Sequence, residues 1–379
     1  MTDNTSIKFV VALCFIVPFI LSAFLSPVAI GLSSRIGAMD VPKDERRMHK
    51  KPVPRFGGMA IFLSAVVAFV LIRMLFSELI PFSEQGNEPI DKILIAVAGG
   101  ALIYIVGVVD DLRGMNAFVK FICQIICAAF VFCFGIRIPT ISLLGLNFSG
   151  ETTGDLIASF VATVVWIVII TNTINLIDGL DGLAAGVAAI ASLSIAYAAY
   201  IHGHYTVALC MTAIAGSAGG FLPFNFYPAK IFMGDSGALF LGFMLASVSV
   251  ISPAKGATAV ATLVPVLVLG VPLFDVVFAV LRRIAHRKPI FGADKGHLHH
   301  QLSNVGMGQR RSVLMLYGIS SVMGIAAIVF SRQLYAEAIL LFCVAVLFII
   351  ILIWEWNKSD EPVEQPPGDD LERQRKKPV

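Results

Sequence analysis

From residue 172 to 182 the sequence reads NTINLIDGLDG, and four oxygen-bearing side chains, Asn172, Asn175, Asp178 and Asp181, recur at every third position. On a helix of 3.6 residues per turn, steps of three drift by about 60° each, so the four stay near one side. Gly179 and Gly182 loosen the backbone beside the carboxylates. A plain polar turn between two membrane helices would explain one aspartate and one glycine. Two amides and two carboxylates at the end of the apolar run 156–174 exceed what a turn needs. Charge near hydrocarbon is costly and is usually kept for function.

Other reactive residues gather in the same way at the ends of apolar runs. Asp110 and Asp111 are adjacent carboxylates that repel. They need a cation or a shifted proton affinity, unless they are only a solvated helix end. Lys120 and Gln124, four residues apart, share a helical face, although a lysine there can also snorkel to the headgroups. In NFYPAKIFMGDSG, residues 225–237, Asp235 and Ser236 lie between Gly234 and Gly237. A carboxylate so placed at a helix start can reach a metal while nearby amides face a phosphate; it can equally be an ordinary N-cap. DKGHLHHQ, residues 294–301, holds His297, His299 and His300, three of the seven histidines. With no cysteine or HExxH pattern beside them they make a poor zinc site. Contact with an anionic substrate, or proton transfer, fits better next to Arg282, Arg283 and Lys295. The basic stretch 46–55 ends in Phe56-Gly57-Gly58, where backbone can approach a ligand closely.

The elements that must carry these residues are membrane helices. Of 379 residues, 57% are hydrophobic and 14% charged, and the mean hydropathy is +0.85; soluble domains carry about 25% charge. A net charge of +3 leaves no electrostatic footprint for nucleic acid. All six cysteines lie in apolar runs and read as small core residues. Eleven runs long enough to span lie near 9–32, 57–80, 92–109, 118–136, 156–174, 183–201, 206–224, 237–252, 258–281, 312–331 and 337–356, or ten if the short 237–252 does not cross. The first is read as a retained helix and not a cleaved signal. Pro265 and Pro272 would kink or break the ninth, and Asp275 just after them is a loose candidate for the cleft. Residues 137–155 allow a small hairpin.

Arg35, Lys43, Arg46, Arg47, Lys50, Lys51 and Arg55 put the first loop in the cytoplasm, and the acidic 83–91 loop falls outside. Alternation then places 110–117, 175–182, 225–236 and 282–311 in the cytoplasm, with the N-terminus outside and the C-terminus inside. The expectation is an all-α polytopic membrane protein around a cytoplasm-facing catalytic cleft. Residues 1–356 form one integral-membrane domain and 357–379 a charged, disordered tail. Carboxylates, histidines and basic residues collected on one face suit Mg²⁺ and phosphates better than a soft metal. Because every contributing loop is tied to helix ends, the expected substrates are a soluble phosphate compound and a lipid.

Five blocks in this order resemble the polyprenyl-phosphate N-acetylhexosamine-1-phosphate transferases of bacterial envelope synthesis: HKKPVPRFGG (49–58), VVDDLRG (108–114), NTINLIDGLDGLAAG (172–186), FNFYPAKIFMGDSGALFLG (224–242) and ADKGHLHHQL (293–302). The resemblance covers about residues 40–305. It implies ten or eleven helices in the bacterial plasma membrane and a site facing the cytoplasm. It implies a reaction in which a lipid phosphate oxygen attacks the sugar-linked phosphorus of a UDP-N-acetylhexosamine. UMP leaves, and a polyprenyl-pyrophosphoryl sugar stays in the membrane. It implies Mg²⁺, for which Mn²⁺ can substitute, with Asp235 as principal ligand and Asp178 as a second candidate. Catalytic roles are carried over to Asp110, Asp111, Asp178 and Asp181, with Asp110 orienting or deprotonating the lipid phosphate. Substrate contacts are carried over to Lys51 (or its neighbour Lys50), Lys120, Asn175 and Asn225, and to His297, His299 and His300 near the nucleotide or sugar. A homodimer is compatible with this reading.

Within the family, the branch that transfers phospho-MurNAc-pentapeptide has three consecutive histidines and a Thr-Pro-Thr-Met-Gly-Gly run. Here the sequence has His297-Leu298-His299-His300 and Val53-Pro54-Arg55-Phe56-Gly57-Gly58. This resembles the branch that uses UDP-GlcNAc and undecaprenyl phosphate to start teichoic acid, O-antigen or related polymers. UDP-GalNAc, a deoxy-amino sugar or UDP-MurNAc-pentapeptide remain alternative donors. A transporter of lipid or sugar phosphates would carry polar residues midway along its helices and internal repeats, and neither is evident. A membrane metalloprotease would need a metal-binding helix such as HExxH, which is missing from the sequence.

Overall fold

A computed structural model describes residues 4–41, 52–76, 91–138, 152–251 and 308–359, with isolated positions between 266 and 283. Ten helices are found among the described residues: α1 (Asn4–Ile36), α2 (Gly58–Phe76), α3 (Lys92–Arg113), α4 (Ala117–Cys133), α5 (Thr153–Ile177), α6 (Leu183–Ile201), α7 (Tyr205–Asn225), α8 (Gly234–Val250), α9 (Gly308–Ser331) and α10 (Tyr335–Ser359). Seven of them, α1, α2, α3, α5, α6, α7 and α9, are long and apolar enough to cross a membrane; α4, α8 and the Tyr335–Ile351 part of α10 are shorter apolar stretches. The chain is a polytopic membrane protein. The ninth expected span 258–281 lies outside the described residues apart from isolated positions. So do Lys50, Lys51, Asp275, His297, His299, His300, most of the proposed 137–155 hairpin and the tail beyond residue 359.

Apolar runs locate the helices, but polar residues extend them. The third run stops at 109, yet α3 continues to Arg113 and carries Asp110 and Asp111 on its last turn. It ends at Gly114, whose N–H closes on the Asp110 carbonyl at 2.8 Å. The fifth run stops at 174, yet α5 continues to Ile177, so Asn172 and Asn175 are helical and Asp178 is the C-cap. Backbone hydrogen bonding does not require apolar side chains, and a polar last turn suits a helix leaving the bilayer.

The all-α expectation holds, with one two-residue ladder beside the helices. β1 (Met39–Asp40) pairs antiparallel with β2 (Val53–Pro54). Beyond β2 the chain stays laced on both sides. The Arg55 N–H donates to the Ala38 carbonyl at 2.9 Å, and the Phe232 N–H donates to the Pro54 carbonyl at 2.8 Å. The Gly57 and Gly58 N–H groups donate to Phe232 and Met233 carbonyls at 3.0 and 2.8 Å. These backbone groups are packed against helix ends and must be paired within the protein.

At the centre is α8, all 17 of whose residues are buried. It is packed by α2, α3, α5, α6 and α7. At 1.5 Å per residue it is about 25 Å long, short for a bilayer core of about 30 Å. Enclosed by other helices, it need not match the lipid. Trp166 of α5 fixes its far end by donating its indole N–H to the Ala246 carbonyl at 3.2 Å. The start of α8 is the position around which the polar residues assemble.

Candidate active site

The loop between α7 and α8, the turn after α5, the strand β2 and the start of α9 enclose a cleft of about 480 Å³. Its lining includes Arg55, Asn175, Asp178, Asp181, Asp235 and Gln309. Asp235 lies in the first turn of α8, following Gly234, whose φ of +76° suits glycine at the entry to the helix. Asp235 is therefore not the N-cap, which is Met233 and makes no side-chain cap bond.

The cap comes from another helix. Asp111 of α3 accepts the N–H groups of Asp235 and Ser236 at 2.8 and 3.0 Å. A carboxylate at a helix N-terminus satisfies orphan N–H groups and meets the positive end of the dipole. Its side chain is 0% exposed and also pairs with the Arg55 Nε at 3.2 Å. The approach is close because residue 107 is glycine: a Cβ there would lie 2.4 Å from the Ser236 Cα.

Its neighbour Asp110 points elsewhere, since successive residues on a helix are about 100° apart. One Asp110 oxygen accepts the Met115 N–H at 2.6 Å and the other pairs with the Lys120 Nζ at 2.7 Å. Lys120 also reaches the Asp235 Oδ1 at 2.9 Å. Arg55 pairs with the other oxygen, Oδ2. The two adjacent carboxylates thus escape mutual repulsion by facing different cations. Neither has an oxygen without a partner. Behind Lys120, Gln124 and Asn172 exchange amide hydrogen bonds between α4 and α5, and Gln124 is only 1% exposed. The steady spacing of Asn172, Asn175 and Asp178 therefore divides: the first amide locks two helices together, and the next two residues line the cleft.

The cleft wall is stapled by two residues. Asn225 is buried, accepts the Gly182 N–H at 3.1 Å and donates to the Ile231 carbonyl at 3.0 Å. Asp181 accepts the Ala229 N–H at 2.9 Å. Together they fasten the turn after α5 to the loop before α8. From α9, the Tyr317 hydroxyl donates to the Gly182 carbonyl at 2.5 Å.

Among the described residues the site holds more carboxylates than cations. Asp110, Asp111, Asp178 and Asp235 all act on Arg55. Among the described residues only Arg55 and Lys120 form ion pairs with members of this set. Four carboxylates thus face two cations among the described residues. Burial, then the nearby Asp235 charge, raises the Asp178 pKa well above the usual carboxylate range, with Arg55 opposing and Asp111 and Asp181 adding to the rise. For Arg55, burial alone would lower the pKa, but Asp235 and the other three carboxylates outweigh it and raise it.

The donor set consists of oxygens, and among the described residues no three His, Cys, Asp or Glu groups cluster closely enough to cage a metal ion. An all-oxygen donor set fits Mg²⁺, which takes one or two carboxylates and keeps water and substrate phosphates as its other ligands. Asp235 and Asp178 on the cleft wall are the residues that would hold it.

Two cleft residues were not singled out by their sequence context. Arg55 read as one of several loop cations that set topology. Gln309 read as nothing at all, yet it is 9% exposed and lines the cleft. The signal for Arg55 was its place directly before Phe56-Gly57-Gly58. For Gln309 there was none, because only the folded chain brings α9 to the cleft.

With this geometry in place, the similarities of the chain are informative. Residues 93–253 match glycosyl transferase family 4. The chain is 36% identical to a probable undecaprenyl-phosphate N-acetylglucosaminyl 1-phosphate transferase of Bacillus subtilis, over 93% of each chain. It is 34% identical to a decaprenyl-phosphate N-acetylglucosaminephosphotransferase of Mycobacterium tuberculosis, over 87% of this chain and 85% of the other. It is 29% identical to the phospho-N-acetylmuramoyl-pentapeptide-transferase of Bacillus subtilis, over 84% of this chain and 97% of the other. Long matches at such identity, on a chain whose acidic blocks meet in one cleft, identify it as a phospho-sugar transferase of glycosyl transferase family 4, in the polyprenyl-phosphate N-acetylhexosamine-1-phosphate transferase family.

Proposed function

We propose that this protein transfers GlcNAc-1-phosphate from UDP-GlcNAc to undecaprenyl phosphate, giving undecaprenyl-pyrophosphoryl-GlcNAc and UMP. The reaction is placed at the cytoplasmic face of a bacterial plasma membrane, as the first membrane step of an envelope polymer. Residues 1–356 act as one integral-membrane catalytic domain. The observation that carries this reading is the cleft at the start of α8, where two side-chain cations and an excess of carboxylates meet at the ends of membrane helices. The choice of donor is supported by the two relatives named for N-acetylglucosamine, which match at 36% and 34% identity, against 29% for the muramoyl-pentapeptide enzyme.

The lipid phosphate is a phosphomonoester with a second pKa of about 6, so at neutral pH it is largely ionised before it reacts. It needs positioning more than it needs a base. Asp110 supplies this by holding Lys120, whose ammonium faces the cleft end of α8 and attracts the lipid phosphate. Asp111 keeps the α8 N-terminus in place. Asn175 and Gln309 offer amides to the donor, while Asp181 and Asn225 hold the walls. Lys51, His297, His299 and His300 complete the anion contacts in this reading. Mg²⁺, when bound, offsets the charge of the donor diphosphate and of the departing UMP.

The test uses purified protein, undecaprenyl phosphate, Mg²⁺ and UDP-GlcNAc labelled in the sugar, with UDP-GalNAc and UDP-MurNAc-pentapeptide in parallel and EDTA as control. Metal-dependent label in the lipid with release of UMP is expected from UDP-GlcNAc. Release of UDP would mean that the attack is not at phosphorus. Label from one of the other donors alone would reassign the sugar.

A further inference from the structure

Asp235 has two carboxylate oxygens, and both are taken. Oδ1 pairs with Lys120 at 2.9 Å and Oδ2 pairs with Arg55. A divalent cation arriving at Asp235 would meet two positive groups already seated on it. One must give way.

Lys120 is the less able to move. It projects from the helix α4, is also held by Asp110 at 2.7 Å, and its side chain is 17% exposed. One turn further on, α4 is bolted to α5 through Gln124 and Asn172. Arg55 differs on each count. It projects from the segment between β2 and α2, its side chain is 37% exposed, and it lines the cleft. It also has a second anchor that need not break. The Nε pairs with Asp111, while a terminal nitrogen reaches Asp235. Rotation at the end of the side chain can free Asp235 and keep Asp111. A guanidinium so pivoted presents a planar pair of donors, the geometry that binds phosphate oxygens.

We propose that Arg55 is a resident counter-ion of the metal-binding carboxylate. In the substrate-free protein it occupies the Asp235 oxygen that the divalent cation needs, and when the donor arrives it swings to the diphosphate and releases Asp235. This rests on the phosphotransferase reading above and adds an order to it: metal binds weakly to the resting site and tightly once a diphosphate has engaged Arg55. Because binding linkage is reciprocal, the metal must tighten the diphosphate by the same factor. The device keeps the buried carboxylates from lying uncompensated between turnovers, a costly condition in a low-dielectric site.

The test is binding to the full chain in detergent. Mn²⁺ is followed by loss of its free EPR signal, without nucleotide. UDP, which carries the diphosphate whatever the true sugar, is titrated by calorimetry without metal. Arg55→Gln should bind Mn²⁺ about tenfold more tightly than the unaltered protein, because a like charge beside the cation is gone. It should bind UDP about tenfold more weakly, because a charged phosphate contact is lost. Equal or weaker Mn²⁺ binding with a lower Tm would make Arg55 a strut between α3 and α8 and overturn the proposal. Tighter Mn²⁺ with unchanged UDP binding would overturn the hand-over. Arg55→Lys keeps the charge and serves if the Gln variant does not fold. Its Mn²⁺ affinity should stay within about twofold, and its UDP affinity should still fall, since one ammonium cannot hold Asp111 and two phosphate oxygens together; undiminished UDP binding there would overturn it. Failure of the donor assignment shows separately, as absence of UMP release in the transfer assay.

Discussion

Helix α3 carries an arginine-paired carboxylate at each end, and the two ends do different things. At its start, Asp91 caps α3 itself, accepting the Ile93 and Leu94 N–H groups at 2.9 and 3.4 Å, and pairs with Arg73 from the preceding helix. At its finish, Asp111 caps α8, 124 residues away in sequence, and pairs with Arg55. The first arrangement is local, a cap on its own helix and an arginine of the preceding one. The second is long-range and joins a set with more carboxylates than cations among the described residues. The same two groups, a carboxylate on helix N–H groups and an arginine, make a fastening at one end of the bundle and a binding site at the other. What distinguishes the site is the gathering of four carboxylates around one arginine and the cleft beside it.

That contrast can be broken or sharpened by substitution. Asp235→Ala should have the largest effect, lowering kcat about 10³-fold in the labelled-transfer assay, on the scale of losing a charge-stabilising group from an active site. The Asp111 cap on the α8 backbone stays in place in that variant, so its Tm should move little. Substantial residual transfer would remove Asp235 from the chemistry. Next comes Asp111→Asn, expected to destabilise by about 2–3 kcal/mol, less than a fully buried pair because Arg55 is partly exposed. It should also cost activity, through displacement of α8. Thermal unfolding and transfer measured together decide this: lost activity at unchanged Tm would make Asp111 a reacting group and not a cap. Gln309→Ala should raise KM for the UDP-sugar about fivefold and leave kcat nearly unchanged, the scale of one hydrogen bond. An unaltered KM would show that the amide does not touch the donor. The smallest effect belongs to the other end. Asp91→Ala should cost about 1 kcal/mol as a lost cap and leave KM and kcat alone. A kinetic effect there would contradict the division between the two ends.

The difference between the two ends also explains what could be read in advance. In the sequence Asp91 read only as part of the acidic 83–91 loop, although the cap bonds it makes reach residues just two and three positions on. The acidic blocks around Asp110, Asp178 and Asp235 were legible as candidates because aspartates at membrane-helix ends are conspicuous. Their division of labour was not. Asp110 and Asp111 look equivalent in sequence and face different partners only because the α3 turn aims one at α4 and the other at α8. Asn225 reads as a pocket residue and is found to use both ends of its amide on backbone groups.

By itself the sequence determined that the chain lives in a membrane, where its helices run, and which blocks of polar residues mark their ends. These follow from local rules: about 20 apolar residues span a bilayer, and isolated charge is expelled from hydrocarbon. Tertiary structure alone decided that Arg55 and Lys120 share one carboxylate, that α8 receives its cap from α3, that β2 is laced between 38–40 and 232–233, and that Gln309 reaches the cleft. Each of these joins residues far apart in the chain. Their geometry is set by how buried helices pack and by the need to pair every polar group that packing removes from water.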